Sequence, residues 1–373
     1  MSRRFIQVKL LNGDECAVDN KRAILVVGTL ILIGAAVVMK FEPWKQPERE
    51  PLPSYSPTSG WRTATPDEVG LRADVLANMV SDIRASSTQT RCSLVVRDGY
   101  LIVEEYYNGY GRNDQLPIYS CTKSVVSTLI GIAIAEGKIG GVGERLRDLL
   151  PAESMEPWME GITLQNLLTM SAGLPGDDWL YNFEGLDEML AAPDPLVYAL
   201  TRQKVFEPGS RFEYTDAVSH ILSCIISEKT GMNAAGYAEE KLFRPLGITN
   251  YSWSSDPQGR NWGYARLKLR AVDMAKIGLL FLHGGLWDGE QVVPASWVEE
   301  ATRHRIDANL LDGYGYQWWV NDDGWYTALG YMGQFIMVFP RLNVVAVFTG
   351  GTPETYDYNI QLVNRFIIPA AEG

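Results

Sequence analysis

The stretch Cys92-Ser-Leu-Val-Val-Arg-Asp-Gly-Tyr-Leu-Ile-Val-Glu-Glu-Tyr106 holds two β-rich runs, CSLVVR (92–97) and LIVEEY (101–106), joined through Asp98, Gly99 and Tyr100. Such a pairing of runs across a glycine turn predicts a hairpin. A second set of runs lies near the far end: WYTAL (325–329), QFIMVF (334–339) and NVVAVF (343–348), with Pro340 in the intervening turn. Between the two sets, segments 124–136, 217–229, 272–283 and 296–303 carry apolar residues at three and four spacing and read as helices. Strands at both ends with helices between predict an α+β domain. Its N- and C-terminal strands meet in one antiparallel sheet flanked by helices, and a mainly helical subdomain completes it. A domain spanning 61–373 is large for one core, which predicts two lobes and a cleft.

Outside that domain one stretch departs from globular composition. Residues 23–39 (AILVVGTLILIGAAVVM) are an uncharged apolar run of 17 residues, at the lower limit for crossing a hydrocarbon core. Lys21, Arg22 and Lys40 can snorkel at its ends, and Phe41 and Trp44 suit the interface. It reads as a single-pass anchor. The alternative is a cleaved signal peptide cut near Gly34 and Ala36, although a leading segment of 22 residues is long for that. Either way, residues 1–22 stay cytoplasmic and the globular part ends outside the cytoplasm, periplasmic or extracellular. Residues 40–60, with five prolines, read as a stiff spacer.

The whole chain carries a formal charge of −12, and beyond residue 22 there are 28 basic against 42 acidic residues. So acidic a surface repels phosphate backbones and argues against a nucleic-acid partner. Four cysteines, one of them before the apolar run, cannot build a disulfide framework. With three histidines and no Cys-x-x-Cys there is little from which to build a zinc site.

The candidate chemistry starts at Pro117-Ile-Tyr-Ser-Cys-Thr-Lys-Ser-Val-Val. Ser120 and Lys123, three apart at the start of a predicted helix, share a face, so the amine can reach the hydroxyl. A serine at a helix N-terminus also meets backbone N–H groups that favour an oxyanion. Ser-x-x-Lys alone equally describes an N-cap serine beside a surface lysine. Tyr214 follows a Pro208-Gly209 turn and precedes the helix predicted at 217–229, where a loop phenol can face a cleft and relay a proton. In Leu329-Gly-Tyr-Met-Gly-Gln-Phe-Ile, Gly330 and Gly333 interrupt a strand pattern, as a bulge does or as a strand approached by a ligand does.

Together these segments resemble the serine β-lactamase and penicillin-binding superfamily, in particular its esterase and amidase branch close to class C enzymes. Ile162-Thr-Leu-Gln-Asn-Leu-Leu-Thr-Met-Ser-Ala-Gly-Leu, Pro245-Leu-Gly-Ile-Thr, Asp273-Met-Ala-Lys-Ile-Gly and Tyr314-Gly-Tyr-Gln-Trp-Trp are similar to that branch as well. The resemblance implies that Ser120 is acylated and that Lys123 and Tyr214 share the proton work. It also implies that Tyr331-Met332-Gly333 lines the pocket and that the backbone N–H groups of Ser120 and Gln334 form the oxyanion hole. Two departures bear on substrate. Asp216 stands where penicillin-recognising members carry Asn, and Tyr331 stands where their strand carries Lys. The expectation is therefore a membrane-anchored serine hydrolase acting on small esters or amides, with no metal or cofactor. The alternatives are a β-lactamase or D-alanyl-D-alanine peptidase, and a non-catalytic sensor of the same fold.

Three look-alikes are set aside. Lys229-Thr230-Gly231 ends a helical run, and Gly231 reads as its C-cap. The segment 131–138 is not spaced as a phosphate loop. His220, inside the helix after Tyr214, reads as a packing residue.

Overall fold

The computed structural model describes residues 55–176 and 184–372. The segments expected as cytoplasmic leader and anchor, and the spacer as far as residue 54, lie outside the described residues, as do the aromatics Trp179, Tyr181 and Phe183. Among the described residues no helix is long and apolar enough to cross a membrane.

The two terminal sets of strands do meet. β1 (Cys92–Arg97) pairs antiparallel with β2 (Tyr100–Tyr106) on one side and with β13 (Val344–Thr349) on the other, Cys92 opposite Thr349. The sheet continues through β12 (Gln334–Phe339), β11 (Tyr326–Gly330), β10 (Trp319–Val320), β9 (Gly313–Tyr314) and β8 (Ile306–Asp307), eight strands in the order β2-β1-β13-β12-β11-β10-β9-β8. A second sheet of three short strands joins β3 (Leu116–Pro117), β5 (Leu267–Leu269) and β4 (Tyr251–Trp253).

Every residue of β12 and β13 is buried, which explains why these strands read as continuous apolar runs and not as alternating ones. Five helices matter for the site: α1 (Ala73–Ala85), α2 (Cys121–Ala135), α3 (Leu164–Leu168), α4 (Asp216–Thr230) and α5 (Ala271–Leu282). α5 covers the sheet face that presents Ile336 and Val345; a Cβ on Gly278 would fall 2.5 Å from a methyl of Val345, so the glycine lets helix and sheet close up. On the opposite face Phe335 stacks against Tyr356 of the C-terminal helix α6 (Thr355–Leu362).

α2 is buried along all but its last turn, and it packs on both the sheet and α4. A helix buried on every side belongs to a core, and its polar residues must find partners there. At Gly131 a Cβ would lie 2.2 Å from the Trp297 ring, so only glycine fits there. Because α2 is shared, the sheet and the helical region have one continuous core.

The end of the expected spacer is docked to this unit. Trp287 donates its indole N–H to Thr58 (2.6 Å), and the Asp288 amide, in the turn between β6 (Leu286–Trp287) and β7 (Glu290–Gln291), donates to the Ser56 hydroxyl (3.0 Å).

Candidate active site

Ser120 sits at the N-cap of α2, three residues past the end of β3. Tyr119 has φ 46°, left-handed for a bulky residue, and its carbonyl accepts from both the amide (3.0 Å) and the hydroxyl (2.6 Å) of Thr122. A residue held there costs about 1–3 kcal/mol and points to a position fixed by its surroundings. α2 spans 15 residues, so the positive end of its dipole lies at Ser120.

One turn on, Lys123 is 1% exposed. Its ammonium donates to the Ser120 hydroxyl (3.0 Å), to Oδ1 of Asp216 (2.6 Å) and to the carbonyl of Tyr264 (2.9 Å). All three lysine donors are thereby used. The ammonium also lies 4.8 Å from the centroid of the Tyr214 ring, within cation–π range. Tyr214 comes from the loop that enters α4. Trp319 stacks on it (5.9 Å between centroids, 23° between planes), and Trp319 in turn packs edge-on against Phe212 and Tyr314. Ser120, Lys123 and Tyr214 are therefore gathered from two distant parts of the sequence around one ammonium.

Asp216, expected to face the substrate, is instead the first residue of α4 and the partner of Lys123; its side chain is only 13% exposed. Gly333 also differs from expectation. A Cβ on Gly333 would meet the start of α6, 2.9 Å from the carbonyl carbon of Thr355, so its glycine serves the turn (φ 77°) and its close packing, not a ligand. Gln334 is fully buried, and its amide donates to the carbonyls of Tyr331, Met332 and Gly350. Gly330 is the glycine against the nucleophile: a Cβ there would fall 2.4 Å from the Ile118 carbonyl and 3.2 Å from the Ser120 amide nitrogen. β10 pairs only with Tyr326 and Thr327, so β11 runs past its neighbour on the way to Ser120. Tyr331 follows, edge-on to Tyr119 at 5.8 Å.

Neighbouring polar groups are structural. Cys121 is buried, which pushes its thiol far above the usual range, and it contacts the Gln334 carbonyl. His220 is buried in α4, stacked near Trp262 and 3.3 Å from Asp256, and burial holds its imidazole below the usual value. Burial also acts on Asp256, but hydrogen bonds from His220 and Arg260 outweigh it and hold the carboxyl at about 2. Gly231 caps α4 in the left-handed conformation (φ 73°). Among the described residues no cluster of three or more His, Cys, Asp or Glu could hold a metal.

The model of the beta-lactamase family matches residues 92–360. The chain belongs to that family. Its match spans both terminal strand sets and every site residue above. Among curated proteins the chain is 24% identical over 322 residues to the 6-aminohexanoate-dimer hydrolase of Paenarthrobacter ureafaciens, covering 78% of this chain and 80% of that one. Among solved structures it resembles a Bacillus anthracis protein named after the same hydrolases (TM-score 0.69, 22% identity, 85% and 89% of the two chains). It also resembles a family VIII carboxylesterase (TM-score 0.63, 15% identity, 79% and 96%). The fold is thus that of the serine β-lactamases and penicillin-binding proteins, and the family is one of hydrolases.

Sequence reasoning missed one contributor to the site. The Tyr264 carbonyl is a backbone group 141 residues from Lys123, which no side-chain pattern encodes. Trp319 lies inside the family-like segment Tyr314-Gly-Tyr-Gln-Trp-Trp, which pointed to it.

Proposed function

We propose that the protein is a serine hydrolase that cleaves small esters or amides through an acyl-enzyme on Ser120. The observation that carries this reading is the buried Lys123 ammonium, shared among the Ser120 hydroxyl, Asp216 and the Tyr264 carbonyl, with the Tyr214 ring beside it. Asp216 and the Tyr264 carbonyl can only accept, so the Lys123 ammonium is committed as a donor to them and to Ser120. Lys123 then orients Ser120 and stabilises negative charge, and Tyr214 is the proton carrier.

In the first step the Ser120 oxygen bonds to the substrate carbonyl carbon while its proton passes to the Tyr214 phenolate. Tyr214 returns that proton to the departing alcohol or amine as the C–O or C–N bond breaks. In the second step water attacks the acyl carbon, gives a proton to Tyr214, and the Ser120–acyl bond breaks with the proton returning to Ser120. The oxyanion is held by the Ser120 amide and, since Gly330 is the residue against the nucleophile, by the amide of Tyr331.

Substrate class rests on charge. Asp216 neutralises Lys123, and an aromatic Tyr331 occupies the strand position where a lysine would greet a carboxylate, so a β-lactam or a cell-wall peptide loses its anchoring contact. The names of relatives, a 6-aminohexanoate-dimer hydrolase and a family VIII carboxylesterase, agree with an amide or ester as the bond cleaved. Residues 23–39 are proposed to anchor the domain on the extracytoplasmic side, on the strength of their apolar length alone. The test is a panel of p-nitrophenyl esters, linear amides and nitrocefin. Ester or amide turnover that is lost in Ser120→Ala is expected; nitrocefin hydrolysis as the dominant activity would overturn the substrate reading.

A further inference from the structure

We propose that Gln317 is a positioning residue for this site: its side chain fixes α4 against α2, and so fixes Asp216 against Lys123. The inference rests on the function proposed above. Gln317 lies in the turn between β9 and β10, two residues before the Trp319 that stacks on Tyr214, and is 1% exposed. Its φ is 61°, a left-handed conformation that glycine adopts freely and glutamine does not. The turn alone would be better served by glycine, so the side chain has another use.

That use is visible in its hydrogen bonds. The Gln317 carbonyl accepts from Ser124 (2.7 Å), the neighbour of Lys123 on α2. Its Oε1 accepts from Ser219 (2.8 Å), one turn past Asp216 on α4. Its Nε2 donates to the carbonyls of Leu167 (3.2 Å) and Leu168 (3.0 Å) at the end of α3, and its backbone amide also donates to Leu168 (3.0 Å). Backbone atoms of one residue thus hold α2 and its side chain holds α4, with α3 as the common base. Every polar atom of this buried residue is used, so the arrangement has little freedom to drift.

The division between backbone and side chain makes the idea testable. Gln317→Gly deletes the link to α4, keeps the backbone links to α2 and α3, and relieves the left-handed strain, which offsets the lost bonds in folding. Ser219→Ala cuts the same link from the other side with the loss of one oxygen. Rates per titratable Ser120 are measured on the full-length protein, together with exchange of the Lys123 ammonium protons by 1H–15N NMR, a readout that needs no substrate. Both variants are expected to lower kcat by about tenfold to a hundredfold with KM within about twofold, and to speed ammonium exchange at least about tenfold. The double variant is expected to lose no more than Gln317→Gly. Wild-type kcat and exchange in both variants, or a fall in melting temperature alone, would overturn the proposal. If the wild type forms no adduct on Ser120 the proposed function fails by itself, and the exchange measurement still decides the role of Gln317.

Discussion

Separating the two charges at the centre of the site should cost more than removing both. The side chains of Lys123 and Asp216 are 2% and 13% exposed and meet at 2.6 Å. Asp216→Ala leaves a buried ammonium with only the Ser120 hydroxyl and the Tyr264 carbonyl as partners, and Lys123→Met leaves a nearly buried carboxylate. Each is expected to lose about 3 kcal/mol, the lower end for a broken buried pair because some partners and a little solvent remain. The double variant places an apolar side chain where the pair was and should come back to within about 1 kcal/mol of wild type. The coupling between the two changes is then several kcal/mol. Urea unfolding followed by tryptophan fluorescence reads it, and each single variant should melt roughly 5–10 °C early. Additivity of the two single effects within about 0.5 kcal/mol would refute the ion pair and with it the assignment of the proton work to Tyr214.

Three further outcomes follow from neighbouring geometry. Tyr214→Phe keeps the ring on Trp319 and removes only the hydroxyl, so steady-state kinetics should show kcat down by about 100-fold or more with the melting temperature nearly unchanged. Gly330→Ala forces a methyl to within 2.4 Å of the Ile118 carbonyl and should cost about 1–3 kcal/mol on unfolding and about 100-fold in kcat, whereas Gly333→Ala should affect stability through α6 far more than it affects KM. His304 is hydrogen-bonded to Asp322 and Asp307, and the Asp322 bond above all raises its imidazole above the usual value. A raised folded value means that this clasp stabilises fully below the unfolded value of about 6.5 and fades as pH rises through the folded one. Its exposed setting limits the effect to about 1 kcal/mol, so the melting temperatures of wild type and His304→Ala should differ at pH 5.5 and converge near pH 9; a constant difference would contradict the assignment.

The parts of the fold that the sequence revealed are those whose burial leaves a long local signature. β12 and β13, covered on both faces, read as unbroken apolar runs, and the terminal strands could be paired from the sequence because strand runs stand at both ends with helical runs between. β8, β9 and β10 are two residues each, too short for any periodicity, and were not anticipated. In the site, Ser120 and Lys123 were legible because helical spacing is a local rule. Asp216 was singled out as a departure from the family pattern, but its pairing with Lys123 was not legible, since the two lie 93 residues apart. Of the two strand glycines, Gly333 drew attention as part of the family-like triplet, yet the nucleophile touches Gly330; only the register of β11 against β12, with Gly330 opposite Gln334, distinguishes them.

The central claim is that the hydroxyl of Ser120 becomes acylated. Intact-mass spectrometry of the protein quenched during turnover of p-nitrophenyl acetate reads this directly. The account predicts an adduct of one acetyl group, mapped to the peptide containing Ser120, present in wild type, absent in Ser120→Ala, and slow to form in Tyr214→Phe. An acetyl group found on another residue, or an adduct of equal yield in Ser120→Ala, would contradict it.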